Sequence, residues 1–180
     1  SASAAKVIAN DNCFQVCFTD PNQGTASADY IASKGLATKV AVIYNSSDAY
    51  SSGIYDNFKA EAAAKGLDLV ASEAFTGDSK QDFSSQLSKI KASGAELIFL
   101  PIYYQEASLI LSQAKNAGIT AKFFGCDGLD GLLNIENFDK SLAENVMLLT
   151  PFAANATDET TKKFVAAYNA KYDPSTLNQF

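Results

Sequence analysis

Short apolar runs alternate along the chain with segments in which apolar residues recur every three or four positions. The runs are rich in β-branched and aromatic residues and are bounded by polar ones, which is typical of buried strands. They predict strands at residues 40–44, 67–75, 97–100, 122–125 and 145–149. The periodic segments predict helices at residues 25–34, 82–93, 105–117 and 158–171, and a loop followed by a helix at 48–66. Three of these helices run into a glycine, which is a frequent stop signal: Gly66, Gly94 and Gly118.

The order of these elements indicates the fold class. Strand and helix alternate with short links, which is the pattern of right-handed βαβ units. We therefore predict an α/β domain with a doubly wound, mostly parallel five-stranded sheet and helices on both faces. The flavodoxin-like strand order 2-1-3-4-5 is expected by analogy with other sheets of this kind.

The two ends of the chain do not fit this repeat. Residues 12–18, NCFQVCF, look like a strand but have no place in the predicted sheet, so we interpret them as a connector. Residues 151–156 are rich in turn formers, and the chain stops soon after its last helix without a closing element. These features indicate a piece of a larger protein. The first residues lack the cationic flank and apolar block of a signal peptide.

The composition narrows the chemistry that the chain can perform. Its 180 residues suit one domain, and 47% hydrophobic against 19% charged residues is enough to form a core. The chain has no His and no Trp, and all 14 basic residues are Lys, which excludes His-dependent triads and HExxH zinc sites. A net charge of −6 opposes binding to nucleic acid. No apolar stretch approaches the ~18 residues of a membrane span.

The three cysteines do not suggest a disulfide framework. Cys13 and Cys17 would lie about 13 Å apart on an extended strand, which is beyond the reach of a disulfide bond. Cys126 could pair with either of them, but the expected role of all three is that of small buried apolar residues. Glycine-rich phosphate loops of the GxGxxG or GxxxxGK[ST] type are absent, and we expect neither a cofactor nor a metal.

Candidate binding residues follow the predicted strands. In open parallel sheets, ligands bind beyond the carboxyl ends of the strands. Two phenols, Tyr50 and Tyr103, and one carboxylate, Asp127, are therefore expected at one edge of the sheet. A carboxylate with aromatic neighbours suits an ammonium group, through a charge-assisted hydrogen bond and cation–π attraction. An α-amino group is the natural candidate.

A structural role for the same residues stays open. Asp127 could cap a helix that begins near Gly131, and Asp48 with Ser47 could cap the helix after the first strand. The tyrosines could merely cover the core. The residues alone favour neither the binding role nor the structural one.

Four runs of this sequence resemble a known family. They are CFTDPNQGTASADYIASKGLATKVAVIYNSSDAYSSG, GDSKQDFSSQLSKIKASGAELIFL, YYQEASLILSQAKNAGI and FFGCDGLDG. The resemblance is to the extracytoplasmic solute-binding proteins of ATP-driven amino-acid importers, of the leucine/isoleucine/valine-binding type, which are type I periplasmic binding proteins. It extends from about residue 12 to the fifth predicted strand.

The resemblance implies a domain organisation. Proteins of this family have two α/β lobes joined by crossover strands, and the lobes close on the ligand. This chain resembles the second lobe, with residues 1–20 as a crossover segment from a first lobe, 21–150 as the ligand-binding lobe, and 151–180 as the return crossover and terminal helix. The crossover strands themselves are expected at 16–20 and 150–153.

The resemblance also implies roles for three residues. Asp127 would hold the α-ammonium of the ligand, Tyr103 would pack on the ligand or hydrogen-bond it, and Tyr50 would line the cleft. Relatives of the leucine-binding type often carry Glu at the position of Asp127, and the shorter side chain changes the reach of the carboxylate. Donors for the α-carboxylate of the ligand would come from the absent lobe.

The implied function is the non-enzymatic binding of a small amino acid, branched-chain or otherwise apolar, for delivery to the membrane permease of an ATP-driven importer. The protein would be extracytoplasmic, either periplasmic or lipid-anchored at the cell surface. Two other functions fit the same fold: a ligand-sensing lobe of a receptor or regulator, and a flavodoxin-like enzyme with Asp127 or Cys126 as nucleophile. For the isolated chain we expect little ligand affinity, and a homodimer formed through exposed crossover surfaces.

Overall fold

The described residues form a five-stranded parallel sheet. In the computed structural model, which describes residues 3–15 and 17–177, the strands are Lys39–Asn45 (β1), Asp68–Phe75 (β2), Leu97–Leu100 (β3), Lys122–Gly125 (β4) and Val146–Leu148 (β5). Their order across the sheet is β2-β1-β3-β4-β5, and every neighbouring pair is parallel. The predicted fold class and strand order are confirmed.

Helices cover both faces of this sheet. They are Asp20–Ser33 (α1), Ala49–Ala64 (α2), Ser84–Ser93 (α3) and Tyr104–Asn116 (α4). A fifth helix, Glu159–Asn169 (α5), belongs to a separate unit of the chain. Alternate residues of β1 face opposite layers: Val40 and Val42 pack in the cluster that contains residues of α1 and α2, whereas Ala41 and Ile43 pack with α3 and α4. In the part of the chain that the structure describes, no helix is long and apolar enough to span a membrane.

Residues 150–180 form a unit separate from residues 1–149, which contain the sheet and α1–α4. Within the smaller unit, α5 begins after Asp158, whose carboxylate accepts a hydrogen bond from a backbone N–H of the first turn at 2.9 Å. Four aromatic side chains pack in a row in this unit, with ring centroids 5.0–6.2 Å apart: Phe152, Phe164, Tyr168 and Tyr172.

The start of the chain differs from the sequence pattern in two respects, the first residue of α1 and the strand-like appearance of residues 12–18. Helix α1 begins at Asp20 rather than at residue 25, because Pro21 suits the first helical turn, where its missing N–H costs no hydrogen bond. The described residues of 12–18 form turns and irregular backbone, and Phe14 is 88% exposed. Alternating apolar residues form a strand only where a neighbouring strand pairs with them, and no described strand pairs with this stretch.

The predicted crossover strands also have irregular backbone where the structure describes them, at residues 17–19 and 150–153. Val16 lies outside the described residues, as do residues 1, 2 and 178–180 of the predicted terminal segments. The boundaries of the crossovers therefore stay a prediction.

The cysteines differ from one another in burial. Cys126 is buried as expected, but Cys13 is only partly buried and Cys17 is exposed. The expectation of three buried cysteines fails for these two because their segment lies on the surface instead of entering the sheet. Among the described residues there is no disulfide bond.

Candidate ligand-binding site

Three connections at the carboxyl end of the sheet carry the predicted site residues. Tyr50 lies in the first turn of α2, Tyr103 directly precedes α4, and Asp127 begins a 3-10 helix that follows β4. The strands before these connections, β1, β3 and β4, are neighbours in the sheet. Their carboxyl ends therefore meet at one edge, which is where open α/β sheets bind ligands.

The three side chains form one contiguous cluster. The Tyr50 hydroxyl donates a hydrogen bond to Oδ1 of Asp127 at 2.6 Å and accepts one from the backbone N–H of Gly128 at 2.9 Å. The ring of Tyr103 stacks on the ring of Tyr50, with centroids 4.8 Å apart and planes inclined by 21°. We call Tyr50, Tyr103 and Asp127 the rim cluster.

Tyr50 fixes the orientation of the carboxylate. Its side chain is only 6% exposed, and burial together with the neighbouring Cys126 and Asp127 raises the pKa of the Tyr50 phenol far above its usual value. The phenol therefore stays protonated and donates to Asp127 at every physiological pH. A carboxylate has acceptor positions for about four hydrogen bonds, so Asp127 can accept from a ligand as well as from Tyr50.

The electrostatic environment of the rim cluster favours a cation. Tyr103 is partly exposed, and its pKa is raised to about 12, first by burial and then by nearby carboxylates. Those carboxylates belong to Asp48, Asp20, Asp127 and Glu106. Asp127 is itself only partly buried, so a ligand can reach it. A partly enclosed cluster with this excess of negative charge attracts a positively charged group.

Gly128 allows the close packing behind the rim cluster. A Cβ atom at this position would lie 2.7 Å from the carbonyl oxygen of Ile102 and 2.8 Å from the Tyr50 hydroxyl. The backbone N–H of residue 128 could then no longer approach the phenol as it does. The glycine of the CDG sequence is therefore part of the geometry that places Asp127.

Substituting Gly128→Ala is expected to displace Tyr50 and to lower stability. Crowding of this kind costs about 2 kcal/mol, which corresponds to a fall in Tm of about 5 °C for a chain of this size. Thermal unfolding followed by circular dichroism measures the shift. The matched control is Gly77→Ala, where the nearest atom to the new Cβ is 3.8 Å away; equal Tm values for the two variants would show that Gly128 is not needed for packing.

The structural roles that the sequence left open for Asp48, Asp127 and Tyr50 have different outcomes. Asp48 does cap α2, because its side chain accepts a hydrogen bond from the backbone N–H of Ser51 at 3.1 Å. The expected cap near Gly131 is wrong for Asp127, since it is Asp130 that accepts from the Gly131 N–H, at 3.0 Å. Tyr50 does cover the core, and it contacts Asp127 as well.

One residue of α1 contacts the rim cluster and another lies buried one turn earlier, and the sequence did not point to either. Oε1 of Gln23, which is fully buried, accepts a hydrogen bond from the backbone N–H of Asp127 at 3.2 Å. Asp20, one helical turn earlier, is 1% exposed. Both lie before residue 25, where the helix was predicted to begin, so their place on a helix facing the site was not foreseen. The signal that could have revealed them is Pro21, which marks a first helical turn.

The environment of Cys126 opposes a role as nucleophile. Its thiol is fully buried, and burial raises its pKa well above the usual value, with the nearby Ser27 hydroxyl opposing that effect only in part. Reactive cysteines need an accessible thiolate. In the described part of the chain, no group of His, Cys, Asp and Glu has the arrangement of a metal site.

Comparison with known proteins identifies the family. The fold is that of an α/β lobe, and the rim cluster lies at the carboxyl edge of its parallel sheet. The sequence pattern of the family described as "Periplasmic binding protein" matches residues 1–180, and the chain belongs to this family. This confirms the resemblance found in the sequence.

Several similar proteins are named for the binding of amino acids. The chain is 36% identical over 116 residues to an "Amino acid binding protein" of Pseudomonas aeruginosa, covering 64% of this chain and 30% of that protein. It is 29% identical over 163 residues to the "Leucine-, isoleucine-, valine-, threonine-, and alanine-binding protein" of the same species, covering 90% of this chain and 43% of that protein. The chain thus spans less than half the length of these curated relatives.

Two solved structures show the same fold. The leucine-binding protein LivK of Thermotoga maritima superposes with a TM-score of 0.76 at 31% identity, covering 87% of this chain and 44% of that one. The branched-chain amino-acid transporter substrate-binding protein LivJ of Streptococcus pneumoniae, solved in complex with isoleucine, superposes with a TM-score of 0.74 at 30% identity, with the same coverage.

Proposed function

We propose that this chain is one lobe of an amino-acid-binding protein and that its rim cluster holds the ammonium end of a branched-chain or otherwise apolar amino acid. The observation that carries the proposal is the hydrogen bond from Tyr50 to Asp127, which orients the carboxylate in the same cluster as the partly exposed Tyr103. A primary ammonium donates hydrogen bonds to a carboxylate and is attracted by an aromatic face.

The similar proteins support the choice of ligand. One of them is named for the binding of leucine, another for the binding of leucine, isoleucine, valine, threonine and alanine, and a third was solved with isoleucine. Since this chain corresponds to less than half of each, we infer that a second lobe supplies the donors for the α-carboxylate. Residues 21–150 form the binding lobe in this proposal, and 1–20 and 151–180 carry the crossovers.

Two contributions to affinity are expected from this arrangement. Hydrogen bonds to charged groups contribute about 1.5–3 kcal/mol each, and full burial of an apolar side chain contributes about 1.5–3 kcal/mol. Both need water to be excluded from the site. We infer that two lobes close on the ligand and that the closed form is recognised by the permease of an ATP-driven importer outside the cytoplasm.

Calorimetric titration of the full-length protein that carries this lobe tests the proposal. L-isoleucine, L-leucine and L-valine are expected to bind, whereas 3-methylpentanoate, which lacks the ammonium of isoleucine, is expected to bind at least about 100-fold more weakly. Absence of a heat signal with every amino acid tested would refute the proposal. The 180-residue chain alone is expected to show little affinity, because one lobe offers only part of the contacts, and size-exclusion chromatography shows whether it forms the predicted homodimer.

A further inference from the structure

Helix α1 contacts the connection that carries Asp127 through two side chains on one of its faces. Oε1 of Gln23 accepts a hydrogen bond from the backbone N–H of Asp127 at 3.2 Å. One turn further along α1, the Ser27 hydroxyl lies 3.8 Å from the thiol sulfur of Cys126. Gln23 and Ser27 are both fully buried. The helix therefore packs along two consecutive residues of the connection after β4.

The backbone of this connection is held by two side chains, each of which accepts a hydrogen bond from one N–H. Gln23 accepts from the N–H of Asp127, and the Tyr50 hydroxyl accepts from the N–H of Gly128 at 2.9 Å. Tyr50 also donates to the Asp127 carboxylate. The backbone and the side chain of Asp127 are thus fixed from two different helices, α1 and α2. A carboxylate fixed in this way needs little ordering when a ligand arrives, which favours affinity.

Stability alone does not favour an amide at position 23. Burying a polar group costs free energy unless it is hydrogen-bonded, and among the described residues the Nε2 atom of Gln23 is buried without an acceptor. Methionine has an unbranched side chain of similar length and a similar helix propensity, and it would fill the position without burying an amide. The hydrogen bond to Asp127 is what glutamine adds.

We propose that Gln23 is a positioning residue of the ammonium site, which acts on the ligand through Asp127 by holding its backbone in place. This inference rests on the proposed function and adds a residue that sets the selectivity of the same site. Gln23 is fully buried, so the ligand meets Asp127 and not Gln23. Hydrogen bonds weaken steeply as distance and angle depart from their optimum. A displaced Asp127 would therefore lose the part of the affinity that comes from the ammonium.

The variant Gln23→Met in the full-length protein tests the proposal by the preference for L-isoleucine over 3-methylpentanoate, which lacks the ammonium. This preference is expected to fall about 5- to 10-fold, because the loss falls on isoleucine alone. The affinity for 3-methylpentanoate is expected to change by less than about twofold. A merely structural role of Gln23 would weaken both ligands alike and leave the preference unchanged. Competition calorimetry measures both affinities.

Gln113→Met is the matched control. Gln113 of α4 also holds a connection: its Oε1 accepts from the backbone N–H of Phe83 at 2.7 Å, and its Nε2 donates to the carbonyl oxygen of Gln81 at 2.9 Å. Neither partner belongs to the rim cluster. Gln113→Met is expected to keep the preference for isoleucine within about twofold of the unmodified protein. An equal fall of the preference in both variants would overturn the proposal.

A double-mutant cycle tests whether Gln23 acts through Asp127. In the background of Asp127→Asn, Gln23→Met is expected to weaken isoleucine binding by less than about twofold, because the group that it positions no longer carries the charge. A loss in this background as large as the loss in the unmodified protein would show that Gln23 acts by another route, and the proposal would be wrong.

A measurement on the unmodified protein keeps the proposal testable if Gln23→Met does not fold. The hydrogen bond from the Asp127 N–H lies within the lobe and does not involve the ligand. In the full-length protein without ligand, hydrogen–deuterium exchange of this amide is therefore expected to be at least about 100-fold slower than in an unstructured peptide. Exchange at the rate of the unstructured peptide would overturn the role of Gln23.

The outcomes separate the two proposals. If the unmodified protein binds no amino acid, the proposed function fails, and the role of Gln23 in binding fails with it. If the unmodified protein binds isoleucine but Gln23→Met keeps the full preference over 3-methylpentanoate, only the role of Gln23 is overturned.

Discussion

Replacing Asp127 by Asn is expected to weaken the binding of L-isoleucine to the full-length protein by about 100-fold, or about 2.7 kcal/mol. Removing one partner of an enclosed charge pair costs about 2–5 kcal/mol, because the remaining charge loses its counter-charge without regaining water. The amide retains an oxygen that can accept the Tyr50 hydrogen bond, which is 2.6 Å long in the unmodified chain. The substitution therefore tests charge rather than shape, and the loss of affinity is measured by calorimetry.

The neighbouring carboxylate is the control for this experiment. Asp130 lies in the same connection and accepts a hydrogen bond from the Gly131 N–H, but it does not contact Tyr50 or Tyr103 in any described hydrogen bond or ring contact. Asp130→Asn should keep its affinity within about twofold of the unmodified protein. Equal affinities of the Asp127 and Asp130 variants would contradict the assignment of Asp127 as the ammonium partner.

Substituting Gly24→Ala is expected to cause the largest loss of stability among the changes considered. A Cβ at this position would lie 2.3 Å from the carbonyl oxygen of Ile54 and 2.7 Å from the backbone nitrogen of Phe58. Both atoms belong to the backbone of α2, so the two helices would have to separate. Helix propensity favours Ala by about 1 kcal/mol, but overpacking against rigid backbone outweighs this gain, and the net cost is about 3 kcal/mol.

Urea or thermal unfolding of the 180-residue chain measures this effect. A loss of 3 kcal/mol lowers Tm by about 8 °C in a chain of this length. The control is Gly53→Ala within α2, where the nearest atom to the new Cβ is 3.9 Å away, so that propensity alone acts and stability should rise by up to about 1 kcal/mol. A Gly24→Ala variant as stable as the Gly53→Ala variant would show that the contact between α1 and α2 is not as close as the structure has it.

The stability of the α1–α2 contact matters for binding because a residue of α1 contacts the rim cluster. Gln23 precedes Gly24 directly and holds the backbone of Asp127. A shift of α1 away from α2 would move Gln23 and loosen the connection that presents the carboxylate. Gly24→Ala is therefore expected to weaken ligand binding even where the chain still folds.

The sheet could be predicted from the sequence because its strands are covered on both faces. A strand such as Leu97–Leu100, with every residue buried, leaves an uninterrupted apolar run between polar segments. The helix ends were equally readable where glycine follows, since Gly94 adopts a left-handed conformation with φ of 70° that other residues rarely adopt. These signals are local, so they can be read from the sequence without knowledge of the fold.

The site was only partly predictable, because its contacts join residues that lie far apart in the sequence. The rule that ligands bind at the carboxyl edge of the sheet brought Tyr50, Tyr103 and Asp127 together. The hydrogen bond between Tyr50 and Asp127 spans 77 positions, and it depends on the packing that Gly128 permits. The burial of Asp20 could not be foreseen, because an acidic residue beside a proline usually indicates an exposed helix start.

A crystal structure of the full-length protein with L-isoleucine tests the central claim most directly. The account predicts that the ligand nitrogen lies within about 3.2 Å of a carboxylate oxygen of Asp127, with the ligand beside the ring of Tyr103. Isoleucine bound with its nitrogen directed away from this lobe, or bound at another face of the sheet, would contradict it.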